Sequence, residues 1–434
     1  MHINSIVQNS VSCNEWQPEE AIYWFILLSP LMWVLGCLHP MGVVLLTWIL
    51  FKRNIFALIL NPVVLAWCAV GVAQAVSVVV NWWDTQEGMT YLFYRLVSTP
   101  VSGWFILGAG IAAGRGIDFQ AQKVQRAFSL LGVYILILGS ISLILYFFFK
   151  LDSVILVTPL GSVLPAGLPV VRFLFTLKLY QAEEIFGYQV PRMVFFYSWF
   201  VALGFTGISI AFINLGEKDT KWKVLGIAGG LMGLFGSHSR AGVVAFLVSI
   251  FVYLYLQVDR AWQWLALSVF SIMGMVLLNF GKVIAEKTSS LYTELMDLRR
   301  GSSDSREIIN EASWQGFLDS PLWGHGWPGA AISKSIEAAV GGHSTIYGLL
   351  YTGGMISFVP FCIAMTLTLI WVFNRALKGG HAERSSLAIV VSLMLLCYGE
   401  GIYSFALPGL AIFLWIGGAL GNPQTRLQYQ EGNS

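Results

Sequence analysis

Arg240, Arg306 and His343 are the residues whose types and settings best suit chemistry in this 434-residue sequence. Arg240 closes the stretch Gly236-Ser237-His238-Ser239-Arg240-Ala241-Gly242 between two apolar segments. An arginine at membrane depth costs about 2.5–3.5 kcal/mol on insertion scales, so it ordinarily has a partner or a ligand. The alternative is an interfacial arginine whose head snorkels to lipid headgroups. Arg306 lies in Ser302-Ser303-Asp304-Ser305-Arg306-Glu307, where Asp304 and Glu307 have the spacing of a helix cap and its box partner. That spacing predicts Arg306 in the first turn of a helix running to about Phe317, a place that binds anions. A plain exposed arginine paired with Glu307 or Glu311 fits the local sequence equally well.

His343 stands in Gly341-Gly342-His343-Ser344-Thr345, where a long polar stretch meets an apolar one. An imidazole there suits a general base, or else a structural hydrogen bond. Second-rank candidates for the same anionic site are Arg95 and Arg192, each also readable as a snorkelling anchor. His238 and His325 would complete a three-histidine metal set with His343, but they lack HxH or HxxxH spacing. No metal or cofactor is therefore expected. Trp314, Trp323 and Trp327 offer indole faces for a sugar ring or, equally, anchors at a membrane surface.

The elements that must position these residues are membrane helices. Hydrophobic residues make up 56% of the chain and charged residues 11%, with mean hydropathy +0.71. Soluble chains carry about 25% charged residues. The net charge of +2 comes without a basic stripe, and nucleic acid is not an expected partner. The cysteines Cys13, Cys37, Cys68, Cys362 and Cys397 are far apart and suggest inert packed thiols. No cleavable signal peptide is apparent before residue 21.

A membrane helix needs about 20 mostly apolar residues. Spans are predicted near 21–37, 40–51, 60–80, 92–113, 128–149, 193–214, 222–238, 241–257, 262–280, 345–373, 386–403 and 406–420, twelve in all. The predicted class is an all-α polytopic membrane protein. Residues 1–280 hold nine spans, with a partly membrane-lying, proline-interrupted segment at 150–192. Residues 281–344 form a large late periplasmic loop, and 345–434 hold the last three spans and a cytoplasmic tail. Lys and Arg concentrate in the connections at 52–53, 115–126, 218–223, 260 and 375–384. The positive-inside rule makes those cytoplasmic. Both long loops and the 237–240 hairpin then face outward.

Three landmarks follow one another in a recognisable order: Ser237 to Arg240; Arg306 followed by Pro321-Leu322-x-Gly324-x-Gly326; and His343-Ser344 followed by Leu349 and Gly353-Gly354-Met355. Together they resemble the bacterial O-antigen ligase and O-antigen polymerase superfamily. The resemblance spans roughly residues 222–374. It implies a GT-C-like, metal-independent glycosyltransferase of the bacterial inner membrane, acting on its periplasmic side. The donor it implies is an undecaprenyl-diphosphate-linked glycan, the acceptor lipid A-core or a growing glycan, with membrane lipids around both. Arg240 and Arg306 would match the arginines that hold the diphosphate, and His343 the histidine that activates the acceptor hydroxyl. Asn310, where an aromatic often stands in the family, and His325 between the two glycines are departures bearing on substrate detail.

Such a mechanism is sound on its own terms. A sugar on diphosphate already has a good leaving group, so two cations and one base suffice, and opposite-face attack would invert the anomeric centre. The leading expectation is a ligase of this type, with an O-antigen or exopolysaccharide polymerase as alternative. A lipid-linked oligosaccharide transporter should show repeats or mid-span charges, which are not apparent. Nothing in a scaffold protein would demand Arg240 in a helix hairpin.

Overall fold

A computed structural model describes residues 17–52, 60–85, 88–118, 122–164, 174–185, 188–197, 199–258, 300–333 and 336–421. In chain order the helices are α1 (Pro18–Leu27), α2 (Ser29–Leu35), α3 (Leu38–Lys52), α4 (Pro62–Thr85), α5 (Met89–Gly114) and α6 (Gln122–Phe147). After a stretch of strands come α8 (Phe200–Asn214), α9 (Thr220–Gly236), α10 (Arg240–Tyr255), α11 (Arg300–Asp319), α12 (Thr345–Lys378), α13 (His381–Leu396) and α14 (Leu410–Leu420). The predicted helical membrane protein is thus what is found. Among the described residues four helices, α4, α5, α6 and α12, are long and apolar enough to cross a membrane. Several other predicted spans correspond to shorter apolar helices, and the one near 262–280 lies outside the described residues.

The sequence reading changes in four places. The run predicted as a span at 21–37 is two helices, α1 and α2, meeting at Leu28 just before Pro30. Proline cannot donate the hydrogen bond that would carry α1 onward. The span predicted from 193 begins only at Phe200, because Tyr188–Phe195 is a strand, β3. It pairs antiparallel with β2 (Thr176–Ile185), which also pairs with β1 (Ser153–Val157); the one-turn helix α7 (Pro159–Val163) follows β1. A hairpin of β4 (Ala331–Ser333) and β5 (Ile336–Ala339) adds a second small sheet. The segment predicted to lie interrupted along the membrane, 150–192, therefore carries this small sheet. Lastly, α13 stops at Leu396, short of the predicted 403, and a 3-10 turn (Ile402–Phe405) follows.

Glycine sets the closest helix approaches. A Cβ on Gly229 would collide with the carbonyl oxygen of Gly132, so α6 and α9 meet backbone to backbone there. Between apolar helices in lipid, small residues at the contact replace the hydrophobic drive that water supplies elsewhere. The basic residues Arg126, Lys223 and His381 gather at one end of the bundle: Arg126 pairs with Glu217 at 3.4 Å, and His381 bonds the Ile213 carbonyl at 3.0 Å. The starts of α8, α10 and α12 lie at the other.

At that end α12 is broken at Gly354, whose φ of +59° is a left-handed conformation open to glycine. The chain Pro321–Gly326 docks into the break. Met355 N–H donates to Pro321 O at 2.9 Å, while Gly326 N–H donates to Thr352 O at 2.7 Å and His325 N–H to Tyr351 O at 2.8 Å. From α4, Ser77 Oγ donates to Thr352 O at 2.7 Å and Asn81 Nδ2 to Gly324 O at 3.1 Å. Backbone groups on either side of the break thus find partners inside protein, as hydrocarbon demands.

Candidate functional site

The turn before α10 presents Arg240. Ser239 is the N-cap, its Oγ accepting from Gly242 N–H at 3.0 Å, and Ser237 Oγ accepts from Ser239 N–H at 3.3 Å. His238 takes a positive φ of +49° to complete the reversal. Arg240 is consequently the first residue of α10, where the helix dipole is itself positive. Among the described residues Arg240 has neither a hydrogen-bond nor an ion-pair partner, and it is exposed. A cation placed at a positive helix end without a counter-ion favours an anionic ligand.

Arg306 sits in α11, which begins at least by Arg300, so it lies in the second turn and not the first as the cap spacing predicted. Ser and Asp mark a helix start only where the chain upstream leaves the helix, and here residues 300–304 are already helical. The Arg306 guanidinium donates to Glu400 Oε1 at 2.9 Å. Glu400 is only 2% exposed, and its other oxygen accepts from Trp199 Nε1 at 3.2 Å.

Glu400 is the residue that the sequence reading missed. It lay inside a predicted span, yet it is the sole charged residue between Arg384 and Gly421, and an acid in such a setting asks for a partner. Its backbone is tied to the start of α12: Thr345 N–H and Oγ1 both donate to Glu400 O, at 3.0 and 2.6 Å. Ile402 N–H returns a bond to Thr345 Oγ1 at 2.9 Å.

His343 precedes that anchor by two residues, with its ring 6.3 Å from the indole of Trp199. Burial and the positive charge of Arg306 hold its pKa below the ordinary value. The neutral imidazole is therefore the prevailing form at neutral pH, as a base requires. Arg306 also acts electrostatically on Arg240. Arg306 thus pairs with Glu400 and lies within electrostatic reach of both Arg240 and His343.

The secondary candidates divide. Arg192 is held by Glu183 in an ion pair, donates to Ser237 O at 3.2 Å and lies 4.0 Å over the Phe200 ring. It staples β3 to the Arg240 turn, although its charge still reaches Glu400. His325 bonds Gly316 O at 2.8 Å and stacks on Tyr351 at 4.5 Å, bracing α11 against α12. Arg95 sits 6.0 Å over Trp327, which in turn packs 5.6 Å from Tyr94. Trp314 and Trp323 are both partly exposed. Among the described residues no cluster of three His, Cys, Asp or Glu side chains is placed to hold a metal ion.

Beside His343 opens a cavity of about 400 Å³, to which Tyr94, Ser98, Trp199, Glu400 and Tyr403 contribute. An apolar slot of about 250 Å³ adjoins it, sharing Tyr94, Ser98, Ser102, Leu174 and Leu407 and continuing past Val97, Val101 and Ile106. The wall between them is the π-helical part of α5, Val97–Phe105.

Comparison with known proteins bears on this arrangement directly, since residues 225–348 match the model of the O-antigen ligase family. That stretch is similar to the O-antigen ligase family and supports the O-antigen ligase and polymerase superfamily. Members of the family are glycan ligases and polymerases. The matched stretch begins within α9, ahead of the Arg240 turn, and ends just after His343, so it holds all three gathered residues. No curated protein matches the chain. The resemblance carried by the order of the motifs is borne out. Two of those motifs, Pro321-Leu322-x-Gly324-x-Gly326 and Gly353-Gly354-Met355, are the two halves of the docked break in α12.

Proposed function

We propose that this protein is a member of the O-antigen ligase and polymerase superfamily that transfers a glycan from an undecaprenyl-diphosphate-linked donor to an acceptor hydroxyl, in the manner of an O-antigen ligase acting on lipid A-core. The observation that carries the reading is the gathering of Arg240, Arg306 and His343 at one end of the bundle, beside a cavity. His343 would accept the proton of the acceptor hydroxyl as its oxygen attacks the anomeric carbon. The bond from that carbon to the diphosphate oxygen breaks, and undecaprenyl diphosphate leaves with the electron pair. Arg240 and Arg306 would stabilise the charge on that leaving group, a task that guanidinium groups perform without a divalent metal. Attack from the face opposite the diphosphate inverts the anomeric configuration. The apolar slot beside the cavity supports a donor with an isoprenyl tail. The basic residues at the far end support a cytoplasmic placement for it and a periplasmic one for the site in the inner membrane.

The test is transfer by the purified protein, with undecaprenyl-diphosphate glycan as donor and either lipid A-core or a second donor molecule as acceptor. Product with lipid A-core in the presence of EDTA, and none from His343→Ala, Arg240→Ala or Arg306→Ala, supports the scheme. Product only with a second donor molecule makes the protein a polymerase. Abolition by EDTA, or a product of retained configuration, removes the mechanism.

A further inference from the structure

Taking that reading as its basis, we infer that the cavity beside His343 is a subsite for one uncharged sugar ring, and that Glu400 is the residue that excludes acidic sugars from it. The volume of about 400 Å³ suits a ligand of one or two rings. Tyr94, Trp199 and Tyr403 bring aromatic faces to the wall, the surfaces on which the C–H side of a pyranose packs.

The hydroxyls in the wall are turned to accept. Ser102 donates to Ser98 O and Ser404 to Gly401 O at 2.7 Å. Ser98 likewise spends its proton on Arg95 O at 3.2 Å. Each serine oxygen therefore keeps lone pairs for a donor that enters the cavity. A sugar hydroxyl is such a donor, and an ionised carboxylate is not.

Charge points the same way. Neither lysine nor arginine is among the described residues that line the cavity, whereas Glu400 is. Arg306 is held by Glu400 Oε1 and is not among the lining residues. Among the described residues, a uronic acid entering the cavity would meet a buried carboxylate before any cation, in surroundings that screen poorly. The sugar has two possible sources, the first ring of the donor and the terminal ring of the acceptor, and both present the same chemistry.

Binding and transfer are to be measured separately on the full-length protein in detergent. In saturation-transfer NMR, methyl glucoside is expected to bind and methyl glucuronide to bind at least about tenfold more weakly, the scale of one like-charge contact. Glu400→Gln, which keeps the shape and one of the two acceptor oxygens, should narrow that difference to within about threefold, while Tyr94→Ala should weaken both ligands alike. Equal or tighter binding of the glucuronide by the wild type, or binding of neither, overturns the subsite. An unchanged difference in Glu400→Gln overturns the role of Glu400. In the transfer arm, a uronic acid is placed in turn on the donor and on the acceptor, and the position at which it blocks product names the source. Glucoside binding with no transfer from any undecaprenyl-diphosphate donor leaves the subsite standing and rejects the enzymatic reading instead.

Discussion

The Arg306 guanidinium is bound to the carboxylate of Glu400 at 2.9 Å, and the two contribute unequally to that contact: the arginine side chain is 44% exposed and the glutamate 3%. The arginine is therefore available to a ligand at its outer edge while the glutamate is committed to it. Burial raises the Glu400 pKa above the ordinary value of 4.5, and Arg306, Trp199 and Arg192 work against that rise. Removing the arginine strands an acid.

Arg306→Ala should accordingly lower thermal stability as well as activity, by about 1–3 kcal/mol after allowing for the solvent around the arginine. The sign with pH is definite. A carboxyl whose folded pKa is raised penalises the fold above that pKa and ceases to do so once protonated. The loss in Arg306→Ala should shrink as pH falls toward 4.5, and Arg306→Ala with Glu400→Gln should regain stability at neutral pH without regaining transfer. Melting curves across pH with a transfer assay check this. A double variant as unstable as the single one would refute the coupling.

His343→Ala should reduce turnover by about 10²–10⁴-fold, the usual contribution of a general base. Because burial and Arg306 lower its pKa below 6.5, the neutral imidazole persists into mildly acidic solution. The acid limb of the rate profile should fall below 6.5. Carbon-labelled histidine NMR should place the His343 titration there in the wild type and move it upward in Arg306→Gln, where the second of its two causes is gone. A titration unmoved by that substitution would place Arg306 too far away to act.

How much of this was legible in the sequence depends on the type of signal. Arg240 and His343 were legible because each is polar chemistry in a setting that makes polarity costly, a helix hairpin and a membrane boundary; Arg306, in a polar stretch, was legible only by its cap-like spacing and its place in the order of motifs. Glu400 carried the same signal as Arg240, and was lost because the apolar flank Leu393-Met394-Leu395-Leu396 drew it into a span read as 386–403. The end of the strand Tyr188–Phe195, from Met193, was read as part of a helix for a related reason: apolar runs next to membrane helices do not reveal their period. The helix register of Arg306 failed because a cap pattern says nothing of what lies upstream. The docking of Pro321–Gly326 into the break at Gly354 joins residues about thirty positions apart, such as Pro321 with Met355 and Gly326 with Thr352, a pairing that no local pattern encodes.

The Arg240 turn has its own measurable cost. Ser239→Ala removes the bond from Gly242 N–H that starts α10, and N-cap losses cost about 0.5–2 kcal/mol. The substitution leaves every charge in place, so a fall in turnover beyond the fall in stability would report that the position of the guanidinium matters. Ser239→Asp should recover the cap but place an anion next to Arg240. It should therefore restore melting temperature while raising the KM for a diphosphate donor. Equal KM values in the Asp variant and the wild type would mean that Arg240 does not meet the diphosphate.

The break in α12 is the last element open to a sharp test. Gly354 has φ of +59°, and a Cβ there would collide with the Leu322 carbonyl oxygen. Gly354→Ala combines an unfavourable backbone with a steric clash, and each such strained position costs about 1–3 kcal/mol. The cheapest relief is to expel the Pro321–Gly326 segment, because the helix can then close with ordinary dihedrals through residue 354. Expulsion releases α11, and with it Arg306, from Glu400, while the turn that carries Arg240 lies on other helices and keeps its geometry. The expected result is rapid proteolytic cleavage between residues 300 and 344, transfer reduced to the level of Arg306→Ala, and little added loss when the two substitutions are combined. Should Gly354→Ala resist protease as the wild type does yet lose transfer, the break would have to act on His343 at the start of the same helix, and not through the docked segment.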